Sequence, residues 1–407
     1  MIWKFASRYF IAKKSTNAIN VISWVSISAI AVGTASLIIV LSVFNGFEDL
    51  VKSLYSSFYP EIKITPVTGK TMVLSATLID SIKVFPGING ISEIIQEKAL
   101  LNYNNNHTIA VLMGVDSHFP EVTGIKSKMI RGKFDLGNAD TPLCIVGAGI
   151  EANLGIDIQR SFYPITVYIP KRGIAAYSTP EDALNAGNIN PVGTFAIQQD
   201  FDNTYVITNI DFIRQLGELN ANEFSSIDMK LNESSKMNLI KKKLQYILGS
   251  KYLVQTRYEQ NQSLYQVMQT EKWIVFAILT FILAIAAFNM IGSLYMLVME
   301  KKQDIAILKA MGATSRLIRN IFLAEGLMIA GSGAVLGSFL ALVICSLQKH
   351  FGFIKLQGGS FVIDAYPISI HFTDFILVFF TIIMISILAS WYPASRASMQ
   401  LLDLKSQ

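Results

Sequence analysis

Four stretches of the chain run without a single Asp, Glu, Lys or Arg: 33 residues from Ser15 to Phe47, 27 from Trp273 to Met299, 23 from Gly326 to Gln348 and 21 from Phe375 to Ser395. A helix needs roughly 20 apolar residues to cross about 30 Å of hydrocarbon, so each stretch is long enough to span a bilayer. The pattern predicts an α-helical membrane protein with four transmembrane helices. Between the first and the second, the block from Glu48 to Lys272 changes period. Glu61 to Thr65 alternates with period two, and Ala99 to Tyr103 and Thr108 to Val115 flank an Asn-rich turn as the arms of a hairpin do. Ile165 to Ile169 and Tyr205 to Thr208 read as strands; Ser226 to Leu231, Ser234 to Leu248 and Tyr252 to Thr256 read as strand, helix, strand. This block is a large α+β domain of one or two subdomains.

The predicted organisation is an N-terminal segment over 1–19, TM1 over 20–46, the α+β domain over 47–271 and TM2 over 272–299. A helix and loop follow over 300–320, then TM3 over 321–348, a short loop over 349–373, TM4 over 374–395 and a tail over 396–407. No Pro or Gly falls between Gly249 and Gly292, so a helix starting near Tyr258 is expected to run unbroken to Met299, about 63 Å at 1.5 Å per residue. Asn45 to Tyr59 extends the first span likewise until Pro60 ends it. The alternative is a break and a loose joint near Lys272.

Charge sets the orientation. Lys4, Arg8, Lys13 and Lys14 precede the first span, and Lys301, Lys302, Lys309, Arg316 and Arg319 lie between the second and third, against only Lys349 and Lys355 in the next loop. Both termini are therefore cytoplasmic and the α+β domain is extracytoplasmic. The first apolar run exceeds the 7 to 15 residues of a signal-peptide core, which favours an uncleaved span. Composition agrees, with 52% hydrophobic and 15% charged residues. The net charge of +5 follows from this topogenic bias, so nucleic acid is not an expected partner. The two cysteines, Cys144 and Cys345, fall in different parts of the fold and make no disulfide framework.

Candidate chemistry is sparse. Gly147, Gly149 and Ala152 fit G-x-G-x-x-A, but Gln159 to Ala176 contains no acidic residue to hold a ribose, so a tight strand-to-helix turn is the better reading. Gly69, Lys70 and Thr71 resemble the end of a P-loop whose first glycine is replaced by Ile64, so the chain carries no nucleotide-hydrolysing signature. His107, His118, His350 and His371 are isolated from any zinc-like spacing, and no G-x-S-x-G is present. The expectation is no catalytic residue and no metal. The spans lack the buried ionisable residues of proton relays except Glu325, read as snorkelling or capping at the cytoplasmic edge of the third span. Gly333 and Gly337 form G-x-x-x-G, suited to close helix packing within the subunit or between two subunits.

The stretch KKQDIAILKAMGATSRLIRN, Lys301 to Asn320, is the most informative. Asp304 reads as an N-cap, Gly312 as the left-handed residue that ends the helix, and Thr314 as the cap of the next. Ile305, Ile307, Leu308 and Met311 share one arc of a helical wheel, opposite Ala306, Lys309 and Ala310. So short an amphipathic helix is marginal alone, which favours docking in a protein groove over lying on lipid headgroups.

ILKAMGATSRLIRNIFLAEG and the later YPASRAS resemble the permease domain of the FtsX and MacB group of ABC transporters. The N-terminal SRYFIAKKSTNAINVISWVSISAIAVGTASLIIVLSVFNGFE, the outer stretch MGVDSHFPEVTGIKSKMIRGKF and the four-span layout resemble the lipoprotein-releasing permeases LolC and LolE. The resemblance implies a bacterial inner-membrane permease subunit with a MacB-like periplasmic core domain, working in pairs with a second copy or a paralogue. ATP and Mg belong to a separate cytoplasmic LolD-like ATPase. Lipoproteins would leave the outer leaflet of the inner membrane for a soluble LolA-like periplasmic chaperone. It implies ATPase coupling by Asp304, Ile305, Ile307, Leu308, Lys309, Met311, Gly312 and Thr314. The acyl-chain cavity would be lined by Val40, Val43 and Phe44. A chaperone-binding hook would lie in Pro170 to Pro191, through Lys171, Arg172, Ile174 and Tyr177. The other reading is a mechanotransmission permease that exports a periplasmic substrate or activates a cell-wall hydrolase; a membrane-anchored enzyme lacks a catalytic constellation.

Overall fold

The computed structural model describes residues 17–160, 163–172, 183–355 and 365–399 of the chain. The described residues fall into two compact units, one within 17–50, 266–355 and 365–399, the other within 51–265.

The first unit is built from helices α1 (Asn17–Ser56), α2 (Gln262–Glu300), α3 (Lys302–Ala310), α4 (Ser315–Phe351) and α5 (Phe372–Met399). All but α3 are long and apolar enough to cross a membrane. Their shared core includes Leu37, Leu41, Met290, Leu294, Ala334 and Val378. Aromatic residues such as Phe281, Phe288, Phe339 and Phe380 face outward, as a lipid solvent permits. Lipid tails give helices no hydrophobic reason to associate, so small residues decide where backbones meet. A Cβ on Gly337 would lie 2.3 Å from the Ala31 carbonyl oxygen, and one on Gly333 2.9 Å from that of Ile27. The G-x-x-x-G of α4 therefore packs against α1 of the same chain.

The second unit holds strands β1 (Ile62–Pro66), β2 (Met72–Val73), β3 (Ile88–Tyr103), β4 (Asn106–Val115), β5 (Met129–Gly132) and β6 (Leu143–Gly147). They are followed by β7 (Ile165–Pro170), β8 (Leu184–Phe195), β9 (Tyr205–Asn209), β10 (Glu223–Phe224), β11 (Ser226–Leu231) and β12 (Tyr252–Thr256). A ten-stranded sheet runs β12-β1-β11-β3-β4-β9-β6-β8-β5, with β7 pairing β3 and β8. One core gathers Ile95, Leu112, Val146, Ile150, Val206 and Ile213; a second gathers Ile64, Ile227, Met229, Ile240 and Leu244. The Asn-rich turn is two residues long, Asn104 and Asn105, both at positive φ, the conformation a tight hairpin requires.

Several expectations change. The long helix does not start near Tyr258: a single turn, Arg257–Gln260, closes with a Thr256/Glu259 capping box, Asn261 breaks the run at φ −131° and ψ 42°, and α2 starts at Gln262. Arg257 Nε donates to the Tyr59 carbonyl at 3.1 Å and Gln260 Nε2 to that of Pro60 at 3.2 Å, which fixes that turn in its own direction. The remaining 39 residues of α2 are about 58 Å long. Of the segment expected as a loop from Pro170 to Pro191, Pro170 ends β7 and Leu184 to Pro191 belong to β8, paired from Ile165↔Ile189 to Pro170↔Leu184, while residues 173–182 lie outside the described residues. Glu325 is buried rather than snorkelling. Gly147 and Gly149 are explained by packing, because a Cβ on either would strike Asp202 or Asn203.

Candidate functional site

Only Lys301 separates α2 from α3, and the amide of Ile305 donates to the Lys301 carbonyl at 2.9 Å to close the first turn. Lys301 is thus the N-cap and the assignment of Asp304 to that position is corrected. Asp304 lies in the first turn instead, 3.5 Å from the Lys301 ammonium, where its charge complements the helix dipole. The other end follows the sequence. Gly312 has φ +89°, its amide donates to the Lys309 carbonyl and that of Ala313 to Leu308, both at 2.9 Å, a closed left-handed helix end. Thr314 Oγ1 then accepts from the Leu317 amide at 3.3 Å and starts α4.

The four apolar residues of α3 do not form one free face. Ile305 is 3% exposed and packs with Leu297, Val298, Ile318, Phe322, Ala394 and Ala397. Ile307 is 58% exposed and Met311 71%, while Leu308 is half-buried. Lys309 donates to the Ser398 carbonyl. The helix is therefore fixed to its own bundle on one side and presents Ile307 and Met311 on the other; Ala310 of α3 and Ser315 and Arg316 at the start of α4 are also exposed. The wheel sets Ala310 on the opposite face, and Ser315 and Arg316 lie outside it because they belong to α4.

An apolar groove of about 870 Å³ lies between α1 and α2, lined by Trp24, Val25, Val32, Leu279 and Ile282 among others. Val40, Val43 and Phe44 are half-buried and are not among its lining residues. An apolar run does not reveal where two helices part, and here they part along an earlier stretch of α1.

At the base of the β7–β8 hairpin, Arg172 donates to Glu97 at 2.5 Å and to Glu223 at 2.6 Å, and Thr71 also donates to Glu223 at 2.6 Å. Burial pushes the Glu223 carboxyl up, but the hydrogen bonds from Thr71 and Arg172 outweigh it and hold the group below its ordinary value. Arg172 is thus engaged within the domain. Lys171 pairs by its backbone with Ala183, and Ile174 and Tyr177 lie outside the described residues. Among the described residues no cluster of His, Cys, Asp and Glu is arranged to hold a metal ion.

Two family models match the chain: the FtsX-like permease C-terminal region over residues 276–400 and the MacB-like periplasmic core domain over residues 23–169. The lipoprotein-releasing system transmembrane protein LolC of Neisseria meningitidis serogroup B is 27% identical over 416 residues, covering 96% of this chain and 95% of that protein. The lipoprotein-releasing system transmembrane protein LolE of Haemophilus influenzae is 22% identical over 407 residues, with 96% and 95% covered. The crystal structure of the periplasmic region of MacB from Actinobacillus actinomycetemcomitans is 11% identical with a TM-score of 0.36, covering 53% of this chain and 98% of that one. The chain is accordingly a multi-pass inner-membrane protein with four spanning helices and a large periplasmic domain of MacB-like core fold.

Proposed function

Starting from its place in the FtsX/MacB-like permease superfamily, we propose that this chain is the permease subunit of a lipoprotein-releasing ABC transporter. A separate cytoplasmic ATPase docks on α3 and α4 through Ile307 and Met311, with Ala310 and Arg316 at the rim. ATP binding and hydrolysis there move the four spans, and the periplasmic domain follows. A lipoprotein in the outer leaflet is lifted from the bilayer and passed to a soluble periplasmic chaperone that binds the segment between β7 and β8. A second permease subunit, of the same or a paralogous sequence, completes the transporter.

The observation that carries the mechanical half is the mounting of α3. A short helix anchored through a buried Ile305, with apolar residues turned outward on its far side, is built to receive force from a bound partner and deliver it to α2, α4 and α5 together. The lipoprotein half draws support from the end-to-end similarity to the two relatives named above.

The test is purification from detergent-solubilised membranes with mass spectrometry of everything retained, acylated peptides included. A P-loop ATPase together with lipoproteins supports the reading. An ATPase retained with a cell-wall hydrolase or an efflux adaptor, and no lipoprotein, favours the mechanotransmission alternative.

A further inference from the structure

Where α1, α2 and α5 come together, one carboxamide touches charges from two other helices. Lys272 Nζ on α2 donates to Asn45 Oδ1 on α1 at 2.6 Å, and Asn45 Nδ2 donates to Asp374 Oδ2 on α5 at 2.5 Å. Asn45 is 1% exposed and Asp374 6%. Each charge thus meets the complementary end of the amide dipole, and the cation and anion are bridged rather than paired. The segment leading into α5 is strapped to α1 at the same place. The Ser369 amide donates to the Ser42 carbonyl at 3.0 Å, and His371 Nε2 lies 3.7 Å from Asp49 Oδ2. Gly46 permits this approach, since a Cβ there would sit 2.3 Å from the Pro367 carbonyl oxygen.

We propose that Asn45 is the positioning residue of a two-state latch between α1, α2 and α5, holding α1 docked by standing between Lys272 and Asp374. A buried carboxylate stripped of its partner is strongly destabilising, which would ordinarily make the separation of α1 from α5 prohibitive. Here the cost is offset, because withdrawal of Asn45 leaves Lys272 and Asp374 free to meet directly. Both arrangements give the buried Asp374 and the half-buried Lys272 a partner, which is what a discrete switching element needs. Only the opening of the latch with nucleotide rests on the ATP-driven reading above.

The test uses the full chain in lipid nanodiscs with its co-purified ATPase, carrying Asp49→Cys and His371→Cys and a short thiol-reactive cross-linker. Asp49 and His371 are solvent-accessible, whereas the native Cys144 and Cys345 are buried. Without nucleotide, Asn45→Ala is expected to lower the cross-linking rate by about fivefold or more, and Asn45→Ser to act in the same direction. Adding Asp374→Asn to Asn45→Ala should restore the rate, because the competing ion pair is gone; a merely structural contact would instead lose further. An unchanged rate in both Asn45 variants, or a further loss in the double variant, overturns the latch. With the native Asn45, ATP and vanadate should slow cross-linking by about fivefold. Unchanged cross-linking in an ATPase-active preparation overturns opening in the cycle, whereas a preparation that retains no ATPase contradicts the transporter reading and leaves the nucleotide-free result standing.

Discussion

The ammonium of Lys309 donates to the main-chain carbonyl of Ser398 at 3.1 Å, tying the cytoplasmic helix α3 to the last turn of α5. Ile305 packs beside Ala394 and Ala397 in the last two turns of the same helix. A load applied to α3 therefore reaches α5 directly as well as α2 and α4 through the chain.

That mounting separates two neighbouring substitutions. Ile305→Ala removes a buried side chain and should destabilise the cytoplasmic end of the bundle by about 2–5 kcal/mol, read as a lower melting temperature in detergent. Met311→Asp should leave the melting temperature within error and lower lipoprotein-stimulated ATP hydrolysis by about tenfold or more, the scale of a central interface residue. Normal stimulation in Met311→Asp would remove that residue from the docking surface.

Gly337 meets α1 so closely that even one methyl group has no room. Gly337→Ala should cost about 1–3 kcal/mol through overpacking against the Ala31 carbonyl, measured by thermal unfolding of the full chain. Gly331, with nothing within 4 Å of an added Cβ, is the control, and Gly331→Ala should be neutral. Equal effects at the two positions would contradict the packing of α4 on α1.

The Arg172 cluster predicts a pH dependence with a definite sign. The folded-state pKa of Glu223 is depressed, so its contribution to stability is complete above the unfolded value of about 4.3 and is lost as pH falls through the lower folded value. Thermal scans of the full chain from neutral pH downward should therefore show a loss of stability in acid that shrinks in Arg172→Gln. An identical acid profile in the variant would show that Arg172 does not stabilise the ionised Glu223.

Replacing residues 173–182 by two glycines should keep the β7–β8 pairing and membrane assembly, because the strands register from Pro170↔Leu184 inward. ATP hydrolysis should continue while transfer of lipoprotein to the chaperone stops. Unchanged transfer would leave that segment without a role in handover.

Charge-free tracts located the spanning helices because hydrocarbon excludes ionised side chains whatever the tertiary contacts. The same count passed over Asn45, which is neutral, and stopped short of Asp374, which sits at the first turn of α5. Periodicity placed Ile305 and Ile307 on one arc of α3, but a wheel cannot say which part of an arc faces the chain's own bundle. Strand β8 was illegible because LNAGNINPVGTF has glycine and proline inside it and no alternation. Pairing with β5, β6 and β7 makes it a strand, and two of those partners, β5 and β6, come from distant sequence. The left-handed Gly312 and the Thr314 cap were readable because helix ends are local chemistry.

The most direct test of the central claim is transfer of a labelled triacylated lipoprotein from proteoliposomes containing this permease, its partner subunit and its ATPase to a soluble periplasmic chaperone. Release that requires both ATP and the chaperone is the predicted result. Steady ATP hydrolysis with the lipoprotein remaining in the membrane would contradict it.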